Sequence, residues 1–134
     1  MLCVRDWMIN LLVFIDPEST VAEALSLMRR RYIHSLLVSK SESNPEYGIL
    51  TSTDISDKII AEERDPHKML VREIMTSPII TANSNWSLKQ CSELMRAHNI
   101  HHLPVANDDG ELVGMISATD FLVAAEALGS QVEA

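Results

Sequence analysis

The sequence predicts an α/β (α+β) fold made of two copies of one β-α-β-β-α unit, related by a pseudo-twofold axis and intertwined into one domain. Three observations predict it. The two halves align on each other without a gap over 4–38 and 71–105. Both halves carry the same order of apolar periodicities. Both close on the same short hydroxyl-and-carboxylate motif. Setting Val4 against Val71 places VRDWM (4–8) on VREIM (71–75) and LMRRRYIHSLLV (27–38) on LMRAHNIHHLPV (94–105). After one deleted loop residue, GILTSTD (48–54) falls on GMISATD (114–120). Internal similarity held in one register over this length is the mark of duplication.

The elements follow in order. Short apolar strands are expected at LLVFI (11–15) and PIIT (78–81). Thr20 with Glu23, and Ser87 with Gln90, have the spacing of a capping box and start the first helix of each half. Apolar residues then recur at helical spacing: Val21, Leu25, Met28 and Tyr32, then Leu88, Cys91 and Met95. LLV (36–38) and LPV (103–105) read as strands, followed by the polar turns KSESNPEYG and NDDG and second strands at YGILT and LVGMIS. Thr53-Asp54 and Thr119-Asp120 are read as opening the second helices, with the tail 129–134 expected to fray. The repeats span 4–62 and 71–129, joined by a polar linker at 63–70. A unit of this size has a sheet face it cannot cover alone, which is why two are needed.

Composition bounds the function. The net charge of −8 disfavours a nucleic-acid duplex or an anionic membrane as partner. No apolar run reaches the roughly 18 residues of a membrane span, so no membrane insertion is expected. The first residues lack a small-residue cleavage site, which makes the cytoplasm the expected compartment. Cys3 and Cys91 form no metal or redox spacing. His98, His101 and His102 lack a completing Cys or carboxylate, so no metal site is expected. There is no GxSxG, Walker A or GxGxxG sequence, and enzymatic activity is not expected. The run Arg29-Arg30-Arg31 ends a helix, where cations suit the dipole.

The VxDxM-like start, the LMRxxxIxxLPV passage (with Leu37 in place of the proline in repeat 1) and the G-h-h-[ST]-x-x-D close (h apolar), carried by both repeats, resemble a tandem cystathionine-β-synthase (CBS) domain pair, or Bateman module. The resemblance implies a regulatory module that needs no cofactor. It would bind an adenosine-type nucleotide (AMP, ADP, ATP or S-adenosylmethionine) in clefts between the repeats and pass the state to an unidentified regulated protein. It also implies a homodimer in the form of a flat disc, and a stand-alone member, since no other domain is attached. In such proteins the Asp holds the ribose and the Ser/Thr three residues earlier approaches the phosphates. That carries over to Asp54 with Thr51 and Thr53, and to Asp120 with Ser117 and Thr119. A carboxylate can accept from both hydroxyls of a ribose.

The resemblance also places His101 and His102, just before Pro104, beside the ligand of Asp54, and His34 beside that of Asp120. The apolar adenine slot would involve Ile79, Ile80 and Thr81, and in the other repeat Val13 and Phe14. Repeat 1 has Ser35 and Leu37 where repeat 2 has His102 and Pro104, so the Asp54 cleft is expected to be the more positive. Phe14, where relatives often carry Thr, makes the Asp120 cleft the weaker expectation. The alternative is a constitutive dimerisation or protein-interaction scaffold with degenerate clefts. Because histidine titrates near neutrality, binding of an anionic ligand should tighten as the pH falls from 8 to 6; an affinity flat across that range, measured by calorimetry, would contradict it.

Overall fold

A computed structural model describes residues 2–133. It contains two three-stranded sheets, and the chain divides into two compact units, 13–79 (unit 2) and 1–12 with 80–134 (unit 1). In unit 2, β1 (Phe14–Ile15) pairs parallel with β2 (Ser35–Val38), which pairs antiparallel with β3 (Gly48–Thr51). The crossover between β1 and β2 is α2 (Val21–Arg31). Unit 1 repeats this with β4 (Ala82–Asn83), α5 (Leu88–His98), β5 (His102–Ala106) and β6 (Leu112–Ser117). The short helices α1 (Val4–Trp7) and α4 (Val71–Ile74) precede these elements in sequence. Helix α3 (Ser52–Ile55), continued by a π-helical turn (Ser56–Ile60), follows β3, and α6 (Ala118–Glu133) follows β6.

Each sheet packs one face on its crossover helix. Ile15, Val21, Ala24, Met28, Leu36, Val38 and Leu50 form the core of unit 2. Leu88, Cys91, Met95, Leu103, Val105 and Ile116 form that of unit 1. The apolar periodicity therefore locates the buried face, with one exception. Tyr32, read as part of that face, is the left-handed C-cap of α2 (φ 55°) and is 92% exposed. The helix ends there because the N–H of Ile33 turns back to Met28 O at 3.1 Å. Asn99, a residue better suited to that conformation, does the same for α5.

The capping boxes divide. Ser87 and Gln90 complete theirs in both directions. Thr20 caps Glu23 N at 3.1 Å, but the next donors of α2 are taken by the linker, Val21 N by Met69 O at 2.8 Å and Ala22 N by Pro66 O at 3.0 Å.

The leading strand of repeat 2 lies later than the sequence places it: β4 is Ala82–Asn83, not 78–81. In unit 2 the N–H of Leu37 donates to Val13 O at 3.0 Å, which anchors the start of β1. The residue aligned with Leu37 is Pro104, which has no N–H to give, so pairing begins at Ala82 with Val105. Helix α6 runs through Gly129 to Glu133; Ala134 lies outside the described residues.

The first residues of each repeat act as a strap, and the straps obey one pattern. On unit 1, Leu88 N donates to Leu2 O at 2.9 Å, Val4 N to Trp86 O at 2.9 Å, and Ile9 pairs with Met115 through two hydrogen bonds of 2.8 and 2.9 Å. On unit 2, Val21 N donates to Met69 O at 2.8 Å, Val71 N to Ser19 O at 2.8 Å, and Thr76 pairs with Ile49 through two bonds of 2.9 Å. Val4 and Val71 are fully buried. The strap of sequence 2–9 thus belongs to unit 1, and that of 69–76 to unit 2.

The glycine that opens each closing motif is explained by this packing. A Cβ on Gly48 would sit 2.6 Å from Met75 Sδ, and one on Gly114 would sit 2.6 Å from Ile9 O, which is backbone and cannot step aside. Gly114→Ala should therefore lower stability by about 1–3 kcal/mol through overpacking. Gly129→Ala, with nothing within 4 Å of the added Cβ, should raise it by about 0.5–1 kcal/mol; urea unfolding of the two variants checks both signs. Burial also pushes the Cys91 thiol from 9.0 up to about 11. Its contribution to stability is complete below about pH 9 and is lost as the pH rises through about 11. Stepwise alkaline unfolding should show that loss, reduced in Cys91→Ala.

Candidate ligand site

The hydroxyl-and-carboxylate motif lies where the last strand of each unit becomes a helix. Thr51 still has extended backbone (φ −121°, ψ 168°) and caps α3, its side chain accepting from Asp54 N. The helix therefore begins two residues before the position read from sequence, with Thr53 exposed in its first turn. The same shift applies in unit 1, where Ser117 directly precedes α6 and Thr119 is exposed. The physical reason is reciprocity. Asp54 Oδ2 accepts from Thr51 N at 3.0 Å and from Thr51 Oγ1 at 3.3 Å. Asp120 Oδ2 accepts from Ser117 N at 2.8 Å and from Ser117 Oγ at 3.3 Å. One oxygen of each carboxylate thus closes a capping arrangement.

The other oxygens differ. Asp54 Oδ1 accepts from Lys58 Nζ at 3.0 Å, one helical turn on, and from Thr76 Oγ1 at 3.4 Å, on the strap. The same Lys58 ammonium donates to Ile74 O at 2.8 Å. Asp54 is 7% exposed, and both of its oxygens are occupied. At the matching positions unit 1 has Ala124, which is buried, and Ile9, neither of which can donate from its side chain. Asp120 is half-buried, and among the described residues its Oδ1 has no hydrogen bond.

Comparison with known proteins identifies the architecture. The CBS domain family matches residues 4–61 and again 71–127. The chain belongs to the CBS domain family. A CBS domain-containing protein of Bacillus subtilis is 33% identical over 120 residues, covering 90% of this chain and 83% of the relative. An uncharacterized protein of Methanopyrus kandleri is 29% identical over 107 residues; 80% of this chain is covered, but the chain spans only about half (54%) of that protein. Among solved structures, a hexameric CBS-CP12 protein from bloom-forming cyanobacteria superposes with a TM-score of 0.84 at 33% identity, covering 91% of this chain and 70% of that one.

Within this CBS pair the other sequence-derived positions fall as follows. Unit 2 holds His34, whose backbone O accepts from Ser52 N at 3.1 Å, so it adjoins the start of α3. His34 also lines an open groove of about 410 Å³ with Leu25, Met28, Arg29, Ile33 and Ile55. Val13 is half-buried, and the Phe14 ring lies 5.8 Å from that of Tyr47, packed on its own unit's loop. Ile79 closes the unit and is half-buried.

Unit 1 holds His101, exposed, whose O accepts from Ala118 N at 3.0 Å, and His102, half-buried and opposite Ser117 in the sheet. Pro104 is buried in β5, Ile80 is 37% exposed and Thr81 is half-buried. His34 thus shares a unit with Asp54, and His101 and His102 share one with Asp120. Among the described residues no three His, Cys, Asp or Glu side chains gather to hold a metal, and no helix is long and apolar enough to cross a membrane.

Lys58 and Thr76 are the residues that the sequence reading misses. Lys58 carries a legible signal, since Asp54 and Lys58 stand at the i,i+4 spacing of a helical ion pair. Thr76 has none, because its approach depends on where the strap docks. The difference between the two carboxylates is measurable as stability. Asp54→Asn should cost about 1 kcal/mol, because a buried carboxylate loses its charge-assisted bond from Lys58, whose side chain is 39% exposed and so partly screened by solvent, and Asp120→Asn should cost less; equal urea midpoints for the two variants would contradict this.

Proposed function

We propose that this CBS pair is a regulatory module that senses an adenosine-type nucleotide (AMP, ADP, ATP or S-adenosylmethionine) in the cytoplasm, works as a homodimer and passes its ligand state to a partner protein without catalysing a reaction. The observation that carries the proposal is the half-buried Asp120, whose Oδ1 is uncommitted among the described residues at a strand-to-helix junction. A carboxylate oxygen in that setting accepts readily from a sugar hydroxyl. Ser117 and Thr119 on the same unit supply hydroxyl groups near that junction. The charge read from sequence favours Asp54, with Thr51 and Thr53, as the primary site; the hydrogen bonding favours Asp120. A ligand shifts the module only by its differential affinity for two forms, so the signal has to come from contacts that one form makes better.

The second reading, a constitutive interaction scaffold, is favoured by the saturated carboxylate of Asp54 and by the exposed apolar side chains of Leu122 (71%), Val123 (56%) and Leu128 (47%) on α6. Thermal shift and calorimetry with the four adenosine compounds separate the two. A ligand at 100 times its dissociation constant should stabilise the fold by about 2.7 kcal/mol, and Asp120→Ala should abolish the shift. No shift with any of the four compounds would favour the scaffold.

A further inference from the structure

The duplication offers an internal comparison, because the same motif sits in two settings within one chain. In unit 2 the carboxylate of Asp54 is held from three sides: by the helix cap at Thr51, by Lys58 one turn along, and by Thr76 on the strap. Lys58 also reaches the carbonyl of Ile74, the last residue of α4. A single ammonium therefore links the closing helix, the carboxylate and the end of the strap. In unit 1 the strap residue is Ile9 and the helix residue is Ala124, so this linkage has no counterpart. The strap on unit 1 is kept by its backbone pairing to Met115 and by the burial of Val4.

We propose that Lys58 makes the two motifs unequal: it commits the Asp54 carboxylate to latching the strap 69–76 onto unit 2 and leaves Asp120 as the carboxylate that takes a ligand's paired hydroxyls. The second half rests on the nucleotide reading above; the latch does not. A ligand hydroxyl aimed at Asp54 Oδ1 has to displace both a charged and a neutral donor from a residue that is 7% exposed. Hydrogen bonds to charged groups are the stronger class, and taking the carboxylate away leaves the Lys58 ammonium without its counter-charge. At Asp120, among the described residues, no hydrogen-bond donor has to leave Oδ1. Lys58 is in this sense a positioning residue: it touches no ligand and decides which carboxylate can.

The test uses the full chain in two measurements. The first is amide hydrogen exchange in the wild type, Lys58→Met and Thr76→Val, without ligand. Exchange at Met75 and Thr76 should quicken by about tenfold or more in Lys58→Met, corresponding to about 1.4 kcal/mol by the tenfold conversion constant, and by less in Thr76→Val, while Met8 and Ile9 on the other strap stay as in the wild type. Lys58→Arg, which keeps two donors, should restore most of the protection. Unchanged exchange at Met75 and Thr76, or equal quickening of both straps, overturns the latch.

The second measurement is calorimetric stoichiometry with AMP, ADP, ATP and S-adenosylmethionine in turn. One site per chain is expected, retained in Lys58→Met and lost in Asp120→Asn. Two sites per chain, or one that survives Asp120→Asn, overturns the assignment of Asp120. If none of the four compounds binds the wild type, the nucleotide reading and the ligand half fall together, and the exchange measurement still decides the latch.

Discussion

The close approach of each strap to the glycine of a unit's last strand governs the rest of the molecule. Gly48 and Gly114 are where that approach is tightest, with Met75 Sδ and Ile9 O each 2.6 Å from where a Cβ would stand. A side chain at Gly114 would press on the strap's backbone, and one at Gly48 would meet the Met75 side chain first, with Thr76 O next at 3.3 Å. With the strap in place, the pairing of Ile9 with Met115 and of Thr76 with Ile49 follows, and so does the burial of Val4 and Val71. Burying a valine is worth about 1.5–3 kcal/mol, a large share of the net stability of a small unit. Two distant signatures in the sequence, the VRxxM start and the glycine of the closing motif, are thus two sides of one contact. The sequence repeats, matched at 4–61 and 71–127, and the compact units partition the chain differently because the straps carry each repeat's first residues.

Duplication gives two copies of this arrangement, and small substitutions make them different. Pro104 in place of Leu37 removes one ladder donor and delays β4. Ala124 and Ile9 in place of Lys58 and Thr76 remove every side-chain donor that holds the second oxygen of Asp54. Neither change disturbs the fold, since the apolar layers of both units remain complete. They redistribute hydrogen-bonding capacity instead. One carboxylate is internal to the structure, and among the described residues the other has one oxygen without a hydrogen bond.

Much of this was legible in the sequence. The repeat, the mixed strand order, both crossover helices and the burial of Cys91 come from periodicity and from the ungapped alignment, because a packed face imposes a period whatever its partners. What periodicity cannot reveal is termination and long-range docking. Tyr32 fits the apolar stripe but falls at a left-handed cap. A proline in the partner strand delays pairing by one residue, from Thr81 to Ala82, and β1 likewise starts at Phe14, later than the strand read at 11–15. Thr53 looks like a cap because Ser and Thr surround it, yet the cap is the residue whose backbone is still extended, Thr51. The site residues of the motif were found as a pattern. The partners that distinguish Asp54 from Asp120 were not, because Thr76 reaches Asp54 through the strap, 22 residues away in sequence.

The family places the chain among CBS domain pairs, and the chemistry of two carboxylates decides how such a pair can respond. If Asp120 is the carboxylate that meets a ligand, its electronic environment changes on binding while that of Asp54, enclosed by Lys58, Thr51 and Thr76, does not. Side-chain carboxyl ¹³C resonances, followed while AMP, ADP, ATP and S-adenosylmethionine are each titrated into the full chain, report this directly. The account predicts a saturable shift at Asp120 with Asp54 unmoved. A shift at Asp54 with Asp120 silent, or no shift at either with all four compounds, would contradict it.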